Sequence, residues 1–189
     1  MRKLLVALTI IFAVLSTNCG SADEKIFGVT PEGFMQRYNA NLDKCIPNAE
    51  LRKNLKLQGF EPVNMNGDKI GVSFKTSQKY LAMEVLFGKS GDILTVHQLL
   101  RDEIFSHAVN FKIMCGVGAY SIHGDADPEL WRWNETANAL QELFKAFEGG
   151  NLSPTVSRNG ITCNINAGLG DFGNKLSGDS ICFSARATD

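Results

Sequence analysis

Three histidines, His97, His107 and His123, and five cysteines, Cys19, Cys45, Cys115, Cys163 and Cys182, carry most of the nucleophilic, basic and soft-ligand chemistry open to this chain. Imidazole titrates near neutral pH, and a thiol becomes a nucleophile once it ionises. Cys115 with His97 or His107 would make a thiol–imidazole nucleophile, but no G-x-S-x-G elbow or other nucleophile motif surrounds any of them. In an exported chain, Cys115 is better explained as half of a disulfide. His97 alternates with Val96 and Gln98 in a strand-like run and reads as a half-buried polar residue. His123, Asp125, Asp127 and Glu129 offer imidazole and oxygen donors to a divalent cation. Asp127-Pro-Glu129 is equally an N-cap, a first-position proline and an acid matched to the helix dipole, so no metal is assigned.

Two glycine-rich segments resemble phosphate loops. Gly168-Leu-Gly-Asp-Phe-Gly173 is a literal G-x-G-x-x-G after a strand-like run, yet Asn174 to Ser180 has no helical stripe to receive a pyrophosphate. Gly88-Lys-Ser90 would need a glycine where Met83 stands. Both read as loops between strands, and no cofactor is expected. Two aromatic side chains are candidates for contact with a partner. Trp131 falls off the apolar stripe of its helix, and Phe172 lies in the glycine-rich loop; an exposed aromatic is a natural anchor at an interface.

The elements that would hold these residues are legible from periodicity. Residues 102–148 read as two helices joined at His123–Asp127. Ile104, Ala108, Phe111, Cys115, Ala119 and Ile122 line one, and Leu130, Trp133, Ala137, Leu140, Phe144 and Phe147 the other. Gly116 and Gly118 remove side chains where a neighbour can approach closely. Thr30 caps an earlier helix with Pro31 in its first position, Val29 placed as a hydrophobic staple, a Phe34, Tyr38, Leu42 and Cys45 face, and Pro47 at its end. Between Phe60 and Leu100 the period is two, with hairpin turns at Asn66-Gly67 and at Gly88-Lys-Ser-Gly91. Further strands are expected at Pro154–Ser157, Ile161–Ala167 and Ile181–Ala185, with a turn at Arg158-Asn-Gly160. Helices and strands are segregated, which predicts an α+β two-layer fold. Its antiparallel sheet has about six strands, and the N-terminal helix and the central αα-hairpin lie on one face. Each half opens with a proline-started helix and closes in hairpins.

Met1-Arg-Lys3 and the apolar run Leu4–Leu15 form an export signal, too short to span a bilayer as a helix. Gly20-Ser-Ala22 places small residues where a signal peptidase reads, so residues 1–22 are expected to be removed, leaving 23–189 as a single α+β domain. The alternative is a lipoprotein signal ending before Cys19, which would then carry the lipid, although Asn18 sits where a small residue belongs. Either route leaves Cys45, Cys115, Cys163 and Cys182, and an even number in an oxidising compartment predicts two disulfides. Cys163 with Cys182 and Cys45 with Cys115 are the expected pairs. The first requires a bulge or offset, because Cys163 shares a face with Ile161 and Ile165 while Cys182 alternates against Ile181 and Phe183.

Nineteen basic and twenty acidic residues give a net charge of −1 with no run of like charge, which disfavours a nucleic-acid or anionic-membrane surface. A chain 44% hydrophobic and 21% charged folds. Thr30-Pro-Glu-Gly-Phe34 with Arg37-Tyr-Asn39, and Arg158-Asn-Gly-Ile161 with Phe183-Ser-Ala185, resemble a pattern in small exported bacterial proteins of uncharacterised function. That resemblance implies an envelope setting, periplasmic or secreted. With no catalytic constellation, the expected function is non-enzymatic binding of another envelope protein, as an inhibitor, immunity factor or assembly accessory. The alternative is a small-ligand binder or small hydrolase using His97, His107 or His123 between sheet and helices, which would need a histidine beside a carboxylate.

Overall fold

A computed structural model describes residues 29–63, 69–100, 108–123, 130–158, 160–167 and 181–187. Residues 1–28 including Cys19, the Asn66-Gly67 pair, His107, the Asp125–Glu129 donor set and the Gly168–Gly173 segment with Phe172 lie outside the described residues. The helices are α1 (Pro31–Cys45), α2 (Ala49–Leu55), α3 (Ala108–Tyr120) and α4 (Trp131–Glu148). The strands are β1 (Gly59–Val63), β2 (Ile70–Lys75), β3 (Leu81–Phe87), β4 (Ile93–Leu100), β5 (Thr155–Arg158), β6 (Ile161–Ala167) and β7 (Ile181–Ala187).

The fold is α+β. All seven strands join one antiparallel sheet in the order β1-β2-β3-β4-β7-β6-β5, one strand more than the pattern predicts. Two meanders run inward from opposite edges and meet where β4 pairs with β7. Each half of the chain therefore contributes helices first and its last strand to the centre, which gives the echo seen in the sequence a structural counterpart.

Local chemistry explains the helix boundaries. Thr30 Oγ1 accepts from Gly33 N at 3.1 Å, and Pro31 follows at the first helical position. Pro47 ends α1 as expected, but a short helix the periodicity does not reveal begins immediately after it. Asn48 Oδ1 accepts from Glu50 N and Leu51 N, each at 3.0 Å, and so starts α2. Arg52 ties the break together by donating to the carbonyls of Ile46 and Pro47 at 2.7 and 2.8 Å. The second hairpin helix begins at Trp131, with Leu130 rather than Asp127 in the N-cap position. Leu130 adopts φ 56° and makes no side-chain cap bond.

Between α1, α4 and strands β4 and β7, helix α3 is enclosed. Met114 to Tyr120 is buried without interruption, because a helix that is apolar around its circumference must be covered on several sides. Gly118 makes this possible. A Cβ there would lie 2.0 Å from Gln98 Nε2 and 3.3 Å from Met83 Cε. Gln98 is fully buried. Gly118→Ala is therefore expected to lower unfolding free energy by about 1–3 kcal/mol, overpacking outweighing the roughly 1 kcal/mol helix preference of alanine. Urea unfolding checks this, and an unchanged midpoint would show that Gln98 has room to move.

Among the described residues, Cys45, Cys115, Cys163 and Cys182 are not bridged in this structure. Register explains why the Cys163–Cys182 pair does not form. Cys163 stands opposite Ala185 and Cys182 opposite Asn166, in an unbroken ladder with no bulge. Alternation then sends Cys163 toward the helices and Cys182 to the other face of the sheet. Cys115 is fully buried in α3, whereas Cys45, at the end of α1, is half-buried.

Candidate cleft and polar row

Between α3 and α4 the helical layer opens into a cleft of about 500 Å³. That volume falls within the range of small-molecule and side-chain pockets, roughly 300–1,000 Å³. Gly116 of α3 forms part of its wall, and a Cβ there would already touch Trp133 Cη2 at 3.2 Å and Leu140 Cδ1 at 3.3 Å. Ile113, Ala137 and Phe144 extend the apolar lining. Trp133 is held edge-on to Tyr120, ring centroids 5.9 Å apart and planes at 77°, so its indole is positioned rather than loose. At the rim, Lys112 Nζ pairs with Glu148 Oε1 at 2.6 Å and lies 5.0 Å from the Phe144 ring centroid. With both partners largely exposed, that ion pair contributes about 0–1 kcal/mol and acts mainly to orient Lys112. Lys145 and Gln141 complete the polar border.

A second feature lies on the sheet face turned away from the helices. Glu61, Ser73, Glu84, His97, Ser184, Asn164 and Thr155 stand opposite one another in register across all seven strands. Neighbouring strands lie about 4.8 Å apart, so the row is a line of polar side chains within reach of one another. Asn164 Nδ2 donates to Thr155 Oγ1 at 2.9 Å at one end. At the centre, His97 is flanked by Glu84 of β3 and by Ser184 of β7. One step along β7, Cys182 Sγ lies 3.8 Å from His97 Nδ1. Glu84 is 2% exposed and Cys182 7%, while His97 and Ser184 are half-buried.

Comparison of the chain with protein-family models, curated proteins and solved structures finds no match. No group of three or more His, Cys, Asp or Glu side chains among the described residues is arranged to hold a metal ion. Trp131, singled out as a contact residue, is the first residue of α4, but its side chain lies outside the described residues, as does that of His123, which closes a short 3₁₀ turn. Gly88–Gly91 is the expected tight turn: Gly88 N donates to Asp92 O at 2.8 Å, and Gly91 adopts φ 83°. The sequence places Trp133 on the core stripe. In the structure it is partly exposed and forms a wall of the cleft, because the α3 side opposite it carries Gly116. Lys112 and Lys145 carried no signal beyond ordinary solvated lysines.

The thiols facing the helices are chemically quiet. Burial pushes Cys163 from an ordinary 9.0 up to about 12. Burial, reinforced by the fields of Cys163 and Cys182, holds Cys115 well above the ordinary thiol value. Neither is available as a thiolate near neutral pH.

Proposed function

We propose that this is an exported, non-enzymatic binding protein of the bacterial envelope, acting on another envelope protein as an inhibitor, immunity factor or assembly accessory. Its contact is the cleft between α3 and α4. The observation that carries this reading is the lining: an apolar wall and floor with a positioned tryptophan and a lysine-bearing rim. Among the described residues no serine, cysteine or histidine lines it, and its one carboxylate is held by Lys112. Such a surface can accept an aromatic or aliphatic anchor of a partner.

Filling the cleft tests this. Gly116→Leu places a side chain into the space between Trp133 and Leu140. It is expected to abolish capture of a stoichiometric partner from envelope extract while the far-ultraviolet circular dichroism stays unchanged. Trp133→Ala should weaken the same capture by roughly tenfold or more, the scale of a buried aromatic anchor. Undiminished capture by both variants, with loss on substitution of Trp131 and Phe172 instead, would place the contact on the patch anticipated from sequence.

A second reading draws on Glu84 and His97. A histidine beside a carboxylate would favour a small-ligand or hydrolase function, and these two stand opposite one another in register. They do so on the sheet face opposite the helices, not between the layers.

A further inference from the structure

The four thiols differ sharply in surroundings. Cys115 lies in α3 and Cys163 faces the helical layer, and burial holds both protonated. Cys182 is on the other face, with an imidazole nitrogen 3.8 Å from its sulfur. The same sulfur lies 3.8 Å from the carbonyl oxygen of Phe183, a second acceptor for the thiol proton. Glu84 of β3 and Ser184 of β7 stand directly opposite His97 in register, which puts an acidic residue on one neighbouring strand and the Cys182-bearing strand on the other. A base next to a thiol, with an acid on the base's far side, is the arrangement that turns a cysteine into a nucleophile.

We propose that Cys182, with His97 as its proton acceptor and Glu84 orienting His97, is a thiol–disulfide exchange site that takes up one half of a small disulfide. Sγ gives its proton to His97 and attacks one sulfur of the incoming disulfide. The old S–S bond breaks as the Cys182–sulfur bond forms, and the departing thiolate takes the proton back from His97. Cys182 ends oxidised in a mixed disulfide and the leaving sulfur ends reduced, so protons and electrons balance with the disulfide as the only co-reactant. Resolution by Cys163 is blocked by the register. Cys163 stands opposite Ala185 and faces the helices, on the wrong side of the sheet. With respect to Cys163 the product is therefore a persistent mixed disulfide, removed by an external thiol. This site is separate from the α3/α4 cleft and stands or falls independently of partner binding there.

The experiment uses the folded full-length chain and bis-hydroxyethyl disulfide, a small neutral probe, with the adduct located by peptide mass. Cys182 is expected to be modified first, and Cys182→Ala to lose that adduct. At neutral pH, His97→Ala is expected to slow the Cys182 reaction about tenfold. His97→Asn, which keeps a polar side chain in the row, should behave as His97→Ala does and covers the case in which alanine misfolds. Modification of Cys45, Cys115 or Cys163 ahead of Cys182 would overturn the proposal. So would a folded His97 variant with wild-type rates at neutral pH.

Discussion

Phe34→Ala is expected to lower the unfolding free energy by about 3–5 kcal/mol, enough to leave a domain of this size barely folded. Phe34 is fully buried at the point where α1 meets the sheet. Its ring lies 5.4 Å from Phe74 of β2, 6.3 Å and edge-on from Phe87 of β3, and 6.5 Å from Tyr38 one turn along. Removing it takes away the transfer free energy of the ring and three aromatic contacts, and leaves a cavity whose walls come from two strands and a helix. Strand positions are fixed by ladder hydrogen bonds, so the cavity cannot close by a small shift. Denaturant unfolding measures the effect; a loss below about 1 kcal/mol would mean that α1 does not dock on the sheet as described.

Alkaline pH is expected to destabilise the fold through the buried thiols. A protonated thiol is neutral and tolerates burial; its thiolate does not. Below about pH 9 Cys163 is protonated in both the folded and unfolded chains, and its contribution is fully present. Between pH 9 and about 12 the unfolded chain releases the proton while the folded chain keeps it, so stability falls as pH rises through that window. The full effect for Cys163 alone is about 4 kcal/mol, an order-of-magnitude figure. Cys115 and Tyr38 act in the same direction: burial pushes both up, and the field of the neighbouring thiols or thiol adds to it. Urea midpoints taken from pH 8 to pH 11 should fall steeply for the wild type and less steeply for Cys163→Ala. Parallel curves for the two proteins would mean that Cys163 is not desolvated.

The two features proposed as sites were legible to different degrees. Gly116 and Gly118 stood out inside a helical stripe as places for close approach, and the structure puts Trp133 and Leu140 against one and Gln98 and Met83 against the other. That the first pair borders a cleft while the second is filled depends on which partner each glycine meets, and no local pattern encodes this. His97 was visible only as an alternating polar residue in a strand. Its neighbours Glu84, Ser184 and Cys182 are 13, 87 and 85 positions away, and nothing short of the strand register brings them to it. The same register separates Cys163 from Cys182, a separation the sequence announced as a mismatch of apolar faces but could not resolve.

By itself, the sequence determined the fold class and nearly all of its elements. Cap residues such as Thr30, breakers such as Pro47, and periods of two or 3.6 act over a few residues, and their physics is local. Tertiary structure alone decided the sheet order, with β4 paired to β7 across an intervening pair of helices, and hence the polar row, the faces of the cysteines and the depth of the cleft. Those depend on contacts between segments far apart in the chain, where many pairings satisfy the same alternation and only the packing of the whole core selects one.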